Sequence, residues 1–168
     1  MNGPGIMVDE TCVQCIDKSG SPFEVGCCCL EQIDVLAGMY DEFTPKAVSQ
    51  GLPPVEQATR RAWIQKLLCS GENFLAYLDG RPIGHCALVV DLARGDAEYI
   101  IFVDQPYRNR GIGTVLTAMA LDRARELGLS TLWLTVEAFN FRALRLYRRV
   151  GFQFVDEGER ERTMVLNL

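Results

Sequence analysis

The stretch from Ala97 to Thr114 restricts the possible folds of this chain more than any other. Tyr99, Ile100, Ile101, Phe102 and Val103 run on without polar alternation, and a strand of that kind is covered on both faces. Directly behind it comes Asp104-Gln105-Pro106-Tyr107-Arg108-Asn109-Arg110-Gly111-Ile112-Gly113-Thr114. Ile112, Leu116, Met119, Ala120 and Leu127 then recur at helical spacing, and Gly128 provides a stop. Strand, glycine-bearing loop and helix in that order make an α/β unit with an anion site. Glycines let the backbone approach a ligand closely, and the first helical N–H groups have no partner within the helix. The positive end of the helix dipole adds to this, and Arg108 and Arg110 reinforce it.

With 168 residues the chain is expected to be a single domain, and neither a repeat nor a linker divides it. Thr11–Ile16 and Phe23–Cys28 read as strands around the turn Asp17-Lys18-Ser19-Gly20. Ile33, Leu36, Ala37, Tyr40 and Phe43 mark one buried helix face. The segment Phe43–Leu52 should be a loop, and Pro53-Pro54 opens a second helix with Val55, Ala58, Ala62 and Leu67 inward. Asn73–Leu78 and Pro82–Val90 form a hairpin through Asp79-Gly80, and Ala97–Val103 joins them. After the Ile112–Leu127 helix come the strand Thr131–Val136, a helix from Asn140 to Val150, and the strands Phe152–Val155 and Thr163–Leu168. The order β-β-α-α-β-β-β-α-β-α-β-β predicts an α/β protein with a mixed sheet.

Charge is unevenly spread. The net value is −5, from 17 basic and 22 acidic side chains, which disfavours nucleic acid as a partner. Residues 1–59 carry nine acids against Lys18 and Lys46, a net of −7. Residues 108–149 carry eight arginines against Asp122, Glu126 and Glu137, a net of +5. A small anionic ligand therefore belongs with the second half. The seven cysteines are odd in number, and no export signal or membrane-length apolar run appears, so reduced thiols in the cytoplasm are expected and no membrane partner. Cys12 and Cys15 would point to opposite faces of a strand, and no second Cys-x-x-Cys follows. No metal is expected, and the cysteines read as small buried hydrophobes.

Two nucleotide readings of the loop can be weighed from its residues. A dinucleotide fingerprint wants a third small residue where Leu116 stands, although Glu137 falls near the offset of a ribose-binding acid. A phosphate loop of the ATPase type wants Gly-Lys-Ser/Thr, and no lysine follows Lys66.

Arg108-x-x-Gly111-x-Gly113 resembles the Arg/Gln-x-x-Gly-x-Gly/Ala signature of the GNAT N-acetyltransferases. The resemblance continues through Val136-x-x-x-Asn140-x-x-Ala143-x-x-Leu146-Tyr147-x-x-x-Gly151-Phe152 and the last strand, Met164-Val165-Leu166. It is specific over residues 73–168; the two preceding helices suit the family's variable acceptor region, and residues 1–22 have no counterpart. The resemblance implies a single GNAT domain over residues 23–168 with a centrally splayed mixed sheet flanked by helices. Residues 1–22 would then be an extension carrying an extra N-terminal hairpin strand.

It further implies that acetyl-CoA is the acyl donor. The pyrophosphate would sit on the N–H groups of Arg110, Gly111, Ile112, Gly113 and Thr114, with Arg108 adding charge. The backbone N–H groups of Phe102 and Val103 would polarise the thioester carbonyl, and Asn140 would touch the pantetheine arm while also able to cap its helix. Tyr147 matches the family's tyrosine near the sulfur and is the expected general acid, with simple packing as the alternative. Arg142, Arg145, Arg148 and Arg149 share its helix and meet either phosphates or solvent. The family's usual glutamate base falls at Ala97; Glu98 stands one residue late and needs a bulge to face the site, and direct proton loss to water is the rival. The acceptor, a small-molecule amine or a peptide, would lie near Tyr40, the Phe43–Leu52 loop and His85, the only histidine, for which a structural role is favoured.

The expected function is acetyl transfer from acetyl-CoA to a primary amine by direct attack in a ternary complex, with homodimer formation left open. A non-catalytic acyl-CoA-binding module and a nucleotide-binding oxidoreductase are the alternatives.

Overall fold

The computed structural model describes residues 12–43 and 53–168, so the start of the first strand at Thr11 and the loop over 44–52 lie outside the described residues. Strands β1 (Val13–Ile16) and β2 (Pro22–Cys27) form the expected hairpin. Its turn is held by Asp17, whose Oδ1 accepts the backbone N–H groups of Ser19 (2.8 Å) and Ser21 (3.0 Å) and the Ser19 hydroxyl (2.7 Å). Gly20 completes the turn at φ +85°.

Helix α1 (Ile33–Glu42) buries Leu36, Ala37, Met39 and Tyr40, close to the face its spacing predicts. Helix α2 departs from expectation. It spans Gln57–Ser70, with the Glu56 carboxylate accepting the N–H groups of Ala58 (3.0 Å) and Thr59 (2.7 Å). Its buried residues are Arg60, Ile64, Leu67 and Leu68, whereas Val55, Ala58 and Ala62 are exposed. The reason is Arg60, which is drawn inward to pair with Asp41 and to donate to the carbonyls of Pro54 (2.9 Å) and Val55 (2.8 Å). The inward face is completed by Ile64, Leu67 and Leu68, which follow Arg60 at helical spacing and pack into the core under α1 and α2.

The remaining elements are β3 (Gly71–Leu78), β4 (Arg81–Asp91), β5 (Asp96–Val103), α3 (Ile112–Glu126), β6 (Thr131–Glu137), α4 (Phe141–Val150), β7 (Gln153–Glu157) and β8 (Glu161–Asn167). All eight strands make one sheet in the order β1-β2-β3-β4-β5-β6-β8-β7. Every pairing is antiparallel except β5 with β6, which is parallel and extends only over Asp96–Glu98 against Thr131–Trp133. Beyond that point β5 stays with β4 up to Val103, while β6 stays with β8 up to Glu137. The sheet therefore splays in the middle, as the family resemblance implies.

Helices α1 and α2 cover one face over Leu75, Ile100 and Phe102. Helix α3 covers the other over Leu88, Ala97 and Tyr99, and α4 closes the same core through Leu144 and Tyr147. Of the cysteines, Cys28 and Cys86 are buried as expected, but Cys27, Cys29 and Cys69 are exposed and Cys12 and Cys15 half-buried, because they lie on the hairpin, a loop and a helix end rather than on core faces. Among the described residues no helix is long and apolar enough to cross a membrane, and no group of His, Cys, Asp or Glu side chains is arranged to hold a metal.

Candidate active site

The splay opens a cleft of about 840 Å³. One wall is Ile101, Phe102 and Val103 of β5, and the other is Thr135, Val136 and Glu137 of β6. The loop before α3 and the residues Asn140, Ala143, Leu146 and Tyr147 of the α4 region complete it. A Cβ placed on Gly113 would stand 3.6 Å from Leu146 of α4 and 3.7 Å from Ile101 and Val103 of β5, so this glycine leaves open the space between β5 and α4. A smaller cavity of about 360 Å³ lies against α1 and includes Asp34, Glu42, Arg81 and Asp104. Its charges are engaged in ion pairs, Arg81 meeting Glu42 at 2.9 Å and Asp104 at 3.9 Å and Asp34 meeting Arg61 at 2.6 Å.

At the mouth of the large cleft the loop turns through Asn109 (φ +64°) and Gly111 (φ +92°), a conformation that asparagine and glycine adopt readily. Among the described residues no acceptor meets the backbone N–H groups of residues 110–113. The Thr114 N–H is different: it donates to the Gly111 carbonyl at 2.9 Å, so the outward row of donors is one shorter than expected. Arg108 lines the cleft but spends its Nε on the Val103 carbonyl (2.9 Å), tying the loop to the end of β5. Burial and the nearby Arg142 charge lower its pKa.

Arg110 does not reinforce the site as expected. Its side chain turns away from the cleft, donating Nε to Asp17 Oδ2 at 2.5 Å and lying over the Tyr107 ring at 5.6 Å. The Asp17 carboxylate is almost wholly enclosed and captures the nearest cation. The Ser19 hydroxyl, the backbone donors of the turn and Arg110 together lower the Asp17 pKa to about 2. The stability it contributes is therefore present above the ordinary carboxylate range and is lost as pH falls through about 2. Asp17→Ala is expected to lower the Tm by several degrees at neutral pH and to speed exchange of the Lys18 amide, which donates to the Arg110 carbonyl at 2.9 Å. Thermal unfolding and hydrogen exchange check this.

The strand parity of β5 corrects the expected pair of polarising donors. The Asp104 N–H donates to the Ile83 carbonyl (2.9 Å), and Val103 stands opposite Gly84 in an unbroken antiparallel register. Backbone groups alternate sides along such a strand. The Phe102 N–H is thus directed into the β4 ladder, and the N–H groups of Ile101 and Val103 point into the splay. Ile101 replaces Phe102 as a donor to the cleft. Phe102 instead presents its ring beneath α1, edge-on to Tyr40 at 5.5 Å and to Phe43 at 5.6 Å.

Asn140 caps α4, its Oδ1 accepting the Ala143 N–H at 3.2 Å, and it also lines the cleft. Tyr147 lines the inner part of the cleft, packed edge-on to Tyr99 at 6.4 Å and against Phe152 at 5.7 Å. Burial pushes its phenol pKa up, so it stays neutral. Arg142, Arg145 and Arg149 line the cleft from α4, whereas Arg148 lies over Phe154 on another face.

Glu98 is not brought to the cleft lining. The β4–β5 register contains no bulge, so Ala97 and Tyr99 face α3, and Glu98 faces the α1–α2 side with Ile100 and Phe102. It lies about 10 Å along the strand from Ile101. Partial burial raises its pKa. Tyr40 and His85 are fully buried rather than open to an acceptor. The Tyr40 hydroxyl and His85 Nδ1 are 2.7 Å apart, and His85 Nε2 is 3.0 Å from Asn73 Oδ1. Burial lowers the His85 pKa to about 3, which favours the neutral ring. Cys86 is buried on the α3 side, its thiol donating to the Leu116 carbonyl at 3.5 Å, and no cysteine lines the cleft.

Lys18 and Ile101 escaped the sequence reading. Lys18 lies 93 positions before Gly111 and reaches the cleft only because the hairpin docks on the loop. Ile101 is recognisable only once strand parity is known.

This arrangement agrees with what the chain is similar to. An L-methionine sulfoximine/L-methionine sulfone acetyltransferase of Pseudomonas paraeruginosa is 29% identical over 106 residues, 60% of this chain and 62% of that protein. The chain thus spans less than two thirds of that relative's length. The GNAT domain of S. lividans PAT superposes with a TM-score of 0.81 at 12% identity, over 94% of this chain and 97% of that one. A putative acetyltransferase from Salmonella typhimurium, solved with acetyl-CoA, gives a TM-score of 0.69 at 18% identity over 87% and 94% of the two chains. The family model of the acetyltransferase (GNAT) family matches residues 25–152, which begin inside β2 and carry both walls of the cleft. By this match and by its splayed sheet, the chain belongs to the acetyltransferase (GNAT) family.

Proposed function

We propose that the chain transfers the acetyl group of acetyl-CoA to a primary amine by direct attack in a ternary complex. The observation that carries this reading is the cleft itself: unpaired N–H groups at its mouth, inward N–H groups on one wall and a neutral phenol deep inside. These residues fit the donor. Lys18, Arg108, Arg142, Arg145 and Arg149 surround the cleft against the single acid Glu137, which suits phosphates, and the gap left by Gly113 suits a narrow arm.

Acetyl-CoA supplies a thioester whose acyl carbon an amine can attack with release of the thiol. Residues 110–113 hold the pyrophosphate through their backbone N–H groups. The Ile101 and Val103 N–H groups donate to the acyl oxygen as charge develops there. The Tyr147 hydroxyl donates to the sulfur and can pass it a proton as the bond breaks. Direct attack is favoured because no cysteine lines the cleft and burial keeps the Cys86 thiol protonated. The incoming amine loses its proton to water, since Glu98 stands three residues, about 10 Å, along β5 from Ile101, whose N–H faces the acyl oxygen. Glu98→Gln is therefore expected to leave kcat within about threefold of the parent; a loss of about a hundredfold, the scale of a missing base, would restore Glu98 to that role.

Calorimetric titration with acetyl-CoA and with NADH tests the reading of the cleft. One acetyl-CoA per chain and no NADH is the expected result; NADH binding without acetyl-CoA binding would favour an oxidoreductase.

A further inference from the structure

We propose that Lys18, carried by the turn of the N-terminal hairpin, is a phosphate-binding residue of the cofactor site, an inference that rests on reading the cleft as an acyl-CoA site. The family match begins at residue 25, so Lys18 lies outside the segment that defines the family. The fold nevertheless lays its turn directly on the loop. The Lys18 N–H donates to the Arg110 carbonyl at 2.9 Å. Its side chain runs along the open face of Gly111: a Cβ built on that glycine would stand 3.5 Å from Lys18 Cγ and 3.7 Å from Cε. Lys18 also lines the cleft beside Gly111, Ile112 and Gly113.

Charge supplies the second part of the case. Arg110 belongs to the loop, but its guanidinium is captured by Asp17 and faces away. The hairpin thus neutralises one loop cation and brings another, next in sequence to the acid that does so. Among the described residues no carboxylate forms an ion pair with the Lys18 ammonium. The turn holding it is fixed by three hydrogen bonds to Asp17 Oδ1, so the lysine backbone is positioned before any ligand arrives. A lysine ammonium on a flexible stem suits a phosphate as a point charge without a fixed fork geometry. Because the stem crosses Gly111, at the start of α3, the phosphate concerned is the pyrophosphate that the N–H groups of residues 110–113 would hold.

The test is calorimetric titration of the full chain and its Lys18→Met and Lys18→Arg variants with CoA and with 3′-dephospho-CoA, at low and high salt. Lys18→Met keeps the stem and removes the charge. It is expected to weaken both ligands equally, by about tenfold at low salt and less at high salt, with Tm unchanged. Lys18→Arg should restore binding to within about twofold, because the charge returns. Equal CoA affinity in the parent and in Lys18→Met would overturn the proposal. A loss seen with CoA but not with 3′-dephospho-CoA would overturn the pyrophosphate assignment. A parent chain that binds neither ligand would overturn the reading of the cleft, and this inference with it.

Discussion

Gly113→Leu is expected to abolish acetyl-CoA binding, with affinity falling by about a hundredfold or more. Gly113 lies in the first turn of α3 with a backbone conformation open to any L-residue. A leucine there does not oppose the helix, since it forms helices more readily than glycine. Its cost falls on the cleft. The first carbon of a side chain already reaches ordinary contact with Leu146 on one side and Ile101 and Val103 on the other. Further carbons must occupy the space through which a pantetheine arm would pass. Gly113→Ala separates this steric effect from a general disturbance: its single carbon meets no clash, so binding should stay within a few-fold and stability should not fall. Leucine and parent proteins of equal affinity would mean that the ligand does not run past Gly113, between β5 and α4.

Tyr147→Phe should lower kcat by about a hundredfold while changing acetyl-CoA affinity less than about twofold. The aromatic ring, packed against Tyr99 and Phe152, is retained in the variant, so the core is undisturbed. Only the hydroxyl is removed. Burial favours the neutral phenol, and the same apolar surroundings make an unassisted thiolate costly. A donor that stays protonated is useful to that leaving group. The raised pKa also sets a sign: kcat of the parent should show no alkaline fall from Tyr147 up to at least about pH 10. Initial rates and equilibrium binding for both proteins check the split. Equal turnover would leave Tyr147 as a packing residue.

The sequence was most legible where local chemistry and fold agree. The apolar run in β5, the glycines of the loop, the Asn140 cap and the Gly151 stop each have a local cause, and the structure carries all of them. In helix α2 the inward face holds Ile64, Leu67 and Leu68 together with Arg60, whose partners lie at Asp41 and in the Pro54–Val55 backbone. Periodicity cannot anticipate a charged residue satisfied by tertiary contacts. The direction of the Phe102 N–H is hidden for a different reason. Residue spacing locates a strand, but which backbone groups face the splay depends on the ladder with β4, fixed by the Asp104–Ile83 bond. Arg110 shows the same limit: its charge belongs to the loop, yet a carboxylate 93 residues earlier decides where it points. Tyr40 and His85 are buried and joined by a hydrogen bond, and Tyr40 packs edge-on to Phe102.

The N-terminal hairpin alters the picture of the family segment most. By sequence it is an appendage; in the fold β1 extends the sheet by one strand and its turn buttresses the loop before α3. Loop order and hairpin docking are therefore coupled in this chain through Asp17, Lys18 and Arg110.

Thiol release from acetyl-CoA, followed as initial rate across a panel of small amines, amino acids and peptide N-termini, measures the proposed activity directly. The expected result is release that depends on both the chain and one class of amine, with the acetyl group recovered on that amine's nitrogen. Tight acetyl-CoA binding with no amine-dependent release anywhere in the panel would contradict it and leave a binding module in place of an enzyme.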